Sequence, residues 1–214
     1  MSVRNQDVRK QEEASSSRKD KIPYRIPDCR YVLLSIIRHL VSGINYLINY
    51  FNNIQWKEYS FNKLFDNIIQ GRRLKKDDQI PGELPFVMSG TTNTGVVDYI
   101  GNDIRVFPKN SLTIDIFGNV FYRNYSYGMG DDTGAYWNDN NSISQKAMLY
   151  ISTVIQKSLE GKFDYGNKLR SSQTANFKVK LPTTTQNEPD YAYMEHLISA
   201  VQKSILRRLS NYLD

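Results

Sequence analysis

Two apolar stripes, one toward each end of the chain, limit what it can fold into. Leu33, Ile37, Leu40, Ile44, Leu47 and Phe51 follow one another at alternating spacings of four and three. That seven-residue rhythm lines apolar side chains along one face of a helix. Gly43 weakens this helix without ending it. The second stripe follows Pro189 and comprises Met194, Leu197, Ile198, Val201, Ile205, Leu209 and Tyr212, with Glu195, Gln202, Lys203, Arg207 and Arg208 on the polar face. Proline at a first turn and cations toward the C-terminus both suit a helix. A stripe has to be buried against something. Each helix could lie on its own core, the two could pair within one chain, or they could pair with equivalents in a second chain.

Between the stripes the rhythm changes. The segment Phe61 to Gln70 still reads as a short helix, with Leu64, Phe65, Ile68 and Ile69 inward and Gly71 as its stop. After it come "LPFVMSG", "GVVDYIG", "IRVFP" and "SLTIDIF", short runs of period two punctuated by Gly, Pro and Asn. One further helix is expected on Met148, Ile151, Ile155 and Leu159, and "NFKVKLP" reads as a last strand. The fold class expected is α+β: a globular domain of short, irregular strands, flanked by two long amphipathic helices that form a coiled-coil-like spacer. The boundaries expected are a flexible lead-in over 1–28, an N-terminal spacer helix over 29–55, the globular domain over 56–188 and a C-terminal spacer helix over 189–214. The lead-in is polar, with a Ser15–Ser17 run, and has too little apolar surface to fold by itself.

Composition narrows the function classes. The net charge is +6 and the pI about 9.2, a balance compatible with a nucleic-acid partner. One cysteine, Cys29, rules out an internal disulfide, and two histidines leave little for a zinc site. No apolar run marks a secretory leader in the first residues. Arg38, His39, Asn45 and Asn49 make it costly for the first stripe to cross a membrane. A cytoplasmic protein without membrane contact is expected.

The stretch "SLTIDIFGNVFYRNYSYGMGDDTGAYW" (111–137) invites three chemical readings. A phosphate-cradling loop needs Lys and Ser or Thr after its glycines, whereas "GMGDDTG" places Asp131 and Asp132 there. A divalent-metal site could use Asp115, Asp131, Asp132 and Asp139. In its nuclease form it would add Glu160 and Lys162, which stand in a Glu-x-Lys arrangement. The third reading explains more residues: Leu112, Ile114 and Ile116 alternate with Thr113, Asp115 and Phe117, and Gly118-Asn119 supplies a two-residue hairpin turn. The aspartates then orient turns. No cofactor and no metal are expected.

Three loops have the chemistry of DNA contact. "GRRLKKDD" carries Arg72, Arg73, Lys75 and Lys76. "SGTTNTG" offers Ser89, Thr91, Thr92 and Asn93. "GNKLRSSQTAN" combines Lys168 and Arg170 with Ser171, Ser172, Gln173 and Asn176. Cations bind phosphates and set affinity, while hydroxyls, amides and guanidinium groups can read base edges. Any one such loop could simply be solvated.

The segments "GRRLKKDDQIPGELPFVMSGTTNTGVVDYI", "FPKNSLTIDIFGNVFYRNYSYGMGDDTGAYW" and "KFDYGNKLRSSQTANFKVKLPTTTQNEPDYAYMEHLI" resemble, in this order, the target recognition domain of type I restriction–modification specificity subunits. The resemblance runs from about Trp56 to Leu209. It implies sequence-specific recognition of double-stranded DNA without catalytic residues. Modification and cleavage would belong to a methyltransferase subunit and, through it, a restriction subunit. It also implies two recognition domains per full subunit, joined by an antiparallel coiled-coil spacer. This sequence has one such domain and one helix on each side, so it reads as half of that plan, and a homodimer through the helices would restore the whole. Contact residues vary within the family, so the loop residues above come from their chemistry. Two other classes stand beside this one. One is a metal-dependent nuclease or a fragment of a fused restriction enzyme. The other is an interaction protein that has lost DNA binding. A methyltransferase would need a catalytic tetrapeptide with Pro-Pro, and the chain has no Pro-Pro.

Overall fold

A computed structural model describes residues 54–213. The lead-in and the first apolar stripe lie outside the described residues. The described part is mixed α and β, as expected, with three small sheets and four helices.

The central sheet has four strands in the order β2-β8-β5-β6, formed by β2 (Asn67–Gln70), β5 (Ser111–Asp115), β6 (Val120–Arg123) and β8 (Thr133–Trp137). All its pairings are antiparallel. All five residues of β5 are buried, which means that both faces are covered. Leu112 and Ile114 point to one face and meet Met148, Ile151 and Ile155 of α2 (Gln145–Leu159), together with Phe61, Leu64 and Tyr136. Each such fully buried side chain contributes roughly 1.5–3 kcal/mol relative to exposure. Ser144 caps α2, its hydroxyl accepting from the Ala147 amide at 3.3 Å. Ser111, Thr113 and Asp115 point to the other face. A second sheet covers it, in the order β4-β3-β7, from β3 (Pro81–Val87), β4 (Val96–Ile100) and β7 (Gly128–Met129). A smaller cluster fills the gap, with Val87, Phe107, Tyr127, Met129 and Ala135 buried. The period-two pattern of β5 is thus real, but its polar half is interior and hydrogen-bonded.

The ends of the domain are tied by β1 (Gln55–Ser60) and β9 (Lys178–Thr183), an antiparallel pair from Gln55↔Thr183 to Ser60↔Lys178. The helix expected over Phe61–Gln70 is only one turn long, α1 (Phe61–Leu64), and Asn67–Gln70 is strand β2 instead. Ile68 packs into the first cluster and Ile69 into the second, one on each side of the sheet. Pairing with β8 wins over local helix preference there.

The hairpin reading of 111–123 holds, with a different turn. Ile114 pairs with Val120, and the Asp115 amide donates to the Asn119 carbonyl at 3.1 Å. The loop is therefore the three residues Ile116, Phe117 and Gly118, and Gly118 takes the left-handed conformation at φ 80°. Asp115 organises it. Its Oδ1 accepts from the Phe117 and Asn119 amides, both at 2.9 Å, and its Oδ2 from Asn119 Nδ2 at 2.8 Å.

The second stripe is helical from Tyr191, in α4 (Tyr191–Leu213), after α3 (Ser171–Thr174). Pro189 lies before the helix, bridged to Thr183, and Asp190 caps it by accepting from the Tyr193 amide at 2.9 Å. Met194 is fully buried, and Leu197 and Ile198 pack against the first cluster. Beyond them Val201, Ile205 and Leu209 are exposed by 44%, 52% and 55%. Among the described residues no helix is long and apolar enough to cross a membrane.

Candidate nucleic-acid interface

An antiparallel sheet brings its alternate connections to a common end. Gln70, the last residue of β2, pairs with Gly134 near the start of β8. Thr133 pairs with Asp115, the last residue of β5. The turn 130–132, the segment after Gln70 and the hairpin tip 116–118 therefore lie side by side. The turn 130–132 is their hub. The Gly71 amide donates to the Thr133 carbonyl at 3.0 Å and the Arg72 amide to the Met129 carbonyl at 3.2 Å. Ser89 Oγ donates to Asp132 Oδ2 at 2.7 Å. The Gly90 amide donates to Asp115 Oδ2 at 3.0 Å. Arg170 Nη1 donates to the Asp131 carbonyl at 3.1 Å, and Gln70 bridges the Asp131 carbonyl (2.8 Å) to the Ser171 amide (3.0 Å). The three polar loops, far apart in sequence, are each attached to this end of one sheet.

Their side chains divide into exposed and anchored groups. Arg72, Arg73, Lys75 and Lys76 are exposed, as are Thr91, Thr92 and Asn93 at the tip of their loop. Ser89 is half-buried and committed to Asp132. Lys168 is exposed and stands over the ring of Tyr165 at 5.7 Å. Arg170, Ser172, Gln173 and Asn176 are exposed, while Gln173 Oε1 accepts from the Arg170 amide at 3.0 Å. Ser171 is the exception: it is buried, and its Cβ lies so near Gly134 that a Cβ there would sit 2.8 Å away. It positions α3 and presents nothing to solvent. Among the described residues none of the six cations is ion-paired.

Sequence reasoning missed Arg105 and Gln70 here, and also Arg123, which stands at the far end of β6 and reaches the 89–95 loop with its side chain. Arg105 is exposed and lies over the rings of Phe107 and Trp137, at 5.4 and 6.0 Å. It lines a cleft of about 710 Å³ with Arg72, Arg73, Gln70 and Met129. The "IRVFP" context reads as a strand, which conceals it. Gln70 falls at the last position of the segment 61–70 that reads as a helix. Arg123 is buried in the hairpin, with its guanidinium against the 89–95 loop. Close by, burial pushes the Tyr127 hydroxyl pKa up, so this group stays protonated and shares a hydrogen bond of 2.9 Å with Ser111.

Three of the candidate carboxylates are spent on structure. Asp115 holds the hairpin turn and Gly90, Asp132 holds Ser89, and Glu160 ends α2 in an exposed ion pair with Lys157 at 2.7 Å. Among the described residues no three His, Cys, Asp or Glu side chains gather where they could share a metal ion. Two glycines of "GMGDDTG" serve close approach: a Cβ on Gly128 would stand 2.5 Å from Ile104 Cδ1, and one on Gly134 2.8 Å from Ser171 Cβ.

This chain is similar to known proteins in sequence and in fold. A specificity subunit from Heyndrickxia coagulans, S.BcgI of a type II restriction enzyme, is 26% identical over 159 residues, covering 73% of this chain and 46% of its own. The S subunit of a type I restriction–modification system from M. genitalium superposes with a TM-score of 0.51 at 18% identity, over 73% of this chain and 42% of that one. A structure from work on complex assembly and conformational transition of the type I R-M system gives 0.52 at 14% identity, over 96% and 55%. At these identities the structural likeness is one of fold. The chain spans about half the length of these relatives. The profile of the type I restriction modification DNA specificity domain matches residues 53–214. With that match covering most of its length, the chain belongs to this DNA specificity domain family.

Proposed function

We propose that this protein recognises a specific sequence in double-stranded DNA, as half of the specificity subunit of a type I-like restriction–modification complex. The observation that carries the reading is the gathering, at one end of one sheet, of polar loop tips and exposed cations that form no ion pair among the described residues. Arg72, Arg73, Lys75, Lys76, Lys168 and Arg170 hold phosphates, with Arg105 added from the cleft. Thr91, Thr92, Asn93, Ser172, Gln173 and Asn176 face the base edges, and Ser89 and Ser171 hold the loops in place. Catalysis resides in partner subunits: a methyltransferase subunit and, through it, the restriction subunit. This work belongs in the cytoplasm.

Replacing Lys168 and Arg170 together by alanine lowers affinity about tenfold or more and flattens its salt dependence by about two units of log–log slope, one per phosphate contact. Fluorescence anisotropy across a salt series measures both. Unchanged affinity removes this loop from the interface. The exposed stripe Val201, Ile205 and Leu209 is where a coiled-coil partner fits. We assign that partner to a second copy of this chain. In the dimer, two recognition domains face a split DNA site. Light scattering with the methyltransferase subunit present then gives two copies of this chain per particle, and one copy only contradicts the dimer. Co-purification with that subunit, followed by methylome sequencing, identifies the target.

A further inference from the structure

Arg123 is the largest fully buried side chain among the described residues, at 1% exposure. No carboxylate pairs with it among those residues. A buried guanidinium with neutral partners only is costly, and such an arrangement persists where something else depends on it. Its Nε donates to Thr113 Oγ1 at 3.0 Å. Its Nη1 donates to Tyr125 OH at 2.9 Å and to Thr94 Oγ1 at 3.1 Å. Its Nη2 donates to the Thr94 carbonyl at 2.6 Å. The rings of Phe121, Tyr127 and Tyr125 surround it at 5.3, 5.9 and 6.0 Å.

Two arms of the fork thus grip one residue, by its hydroxyl and its carbonyl. Thr94 is left-handed, with φ 53° and ψ 27°. A β-branched residue seldom takes this conformation, and it holds only when the surroundings over-determine it. Asn93 before it is left-handed too, at φ 46°, and so is Gly95 after it, at φ 84°. The chain reverses sharply here and turns Thr91, Thr92 and Asn93 outward. The opposite shoulder of the loop is held by Asp115 at Gly90 and by Asp132 at Ser89.

We infer that Arg123 is a positioning residue for DNA sequence discrimination: its fork locks Thr94 left-handed, so that the tip 91–93 meets base edges in one geometry. This rests on the DNA-reading role proposed above. A tip fixed beforehand loses little freedom on binding and tolerates little mismatch. Lysine cannot replace the fork, because a single ammonium does not span the hydroxyl and the carbonyl in the same plane.

The test uses the full chain and three variants. Arg123→Met fills the aromatic cage without a charge, and Arg123→Lys keeps the charge without the fork. Thr94→Val removes the gripped hydroxyl at an exposed position, so the experiment remains decisive if a core variant does not fold. Hydrogen exchange reads the loop without DNA. The amides of Thr94, bonded to the Thr91 carbonyl, and of Met88, bonded to the Gly95 carbonyl, exchange at least tenfold faster in the variants, while β5 amides do not change. Selection from a randomised duplex pool reads discrimination. The wild type enriches a motif, and the variants lose roughly tenfold or more of their preference at the positions read by the tip. Their affinity for random duplex and its salt slope stay as in the wild type. Equal discrimination by wild type and Arg123→Met, unaltered exchange of the loop amides, or full rescue by Arg123→Lys overturns the inference. A wild type that enriches no sequence overturns the DNA reading itself, and the inference with it.

Discussion

Replacing Arg72, Arg73, Lys75 and Lys76 together by alanine is expected to weaken binding to duplex DNA by roughly two to three orders of magnitude near physiological salt. The physical basis is counterion release. Each phosphate neutralised by a protein cation frees condensed counterions, at a log–log slope of about 0.9 per contact in B-DNA. Four lost contacts therefore flatten the salt dependence by about three to four units. The fold is expected to survive, because all four side chains are exposed and none is ion-paired among the described residues. The Arg72 amide keeps its bond to the Met129 carbonyl whatever the side chain. Anisotropy titrations at several salt concentrations, beside a thermal melt, separate the two quantities. A variant that binds as tightly as wild type at every salt concentration would show that this run is merely solvated.

Gly71→Ala is expected to destabilise the domain by roughly 3–5 kcal/mol, a size reserved for few mechanisms. Gly71 does not have a positive φ, so backbone strain is not the cause. The cause is contact. The added Cβ would stand 2.1 Å from the Gly130 carbonyl oxygen and 2.6 Å from that of Met129, both backbone atoms that cannot rotate away. Relief requires the segments 70–72 and 129–133 to part, which breaks the bonds from the Gly71 and Arg72 amides. Gly161→Ala is the control. It has φ 71° but nothing within 4 Å of its Cβ, and is expected to cost only the left-handed strain, about 1 kcal/mol. For a domain of this size the difference corresponds to a melting temperature roughly 10 °C lower for the Gly71 variant. Circular dichroism melts of both variants decide the matter, and equal melting temperatures would refute the steric account.

Much of the scaffold was legible from residue patterns. Alternation in "SLTID" with a glycine three residues after it marked a hairpin, and the three- and four-residue spacing of Met148, Ile151, Ile155 and Leu159 marked α2. The segment Leu64 to Ile69 misled, because apolar pairs at 64–65 and 68–69 fit a helix face and also a strand covered on both sides. Only the pairing partner β8, some seventy positions later, separates the two. The basic and polar loops were visible by composition. Their convergence was not, because it depends on Gln70, Asp115, Asp131 and Asp132, whose hydrogen bonds span up to about a hundred positions. Arg123 was invisible for a similar reason: in sequence it is one more cation beside aromatic residues, and its burial arises only when two sheets close over it.

The anchors of the 89–95 loop are unevenly distributed between backbone and side chain. At Gly90 the grip falls on an amide, and at Thr94 partly on a carbonyl, groups that almost every residue type supplies. The side chains of residues 91 and 92 project from between these grips and carry none of the attachment, which at Thr91 falls on the backbone carbonyl. Under the proposed DNA-reading role, exchanging these side chains would change what the loop reads without rebuilding the fold that carries it. Position 93 is less free. Its left-handed backbone restricts it to asparagine, aspartate or glycine in most variants. The module thus separates letters that can be rewritten from a hinge that cannot, and adaptation to a new target starts with the outermost side chains.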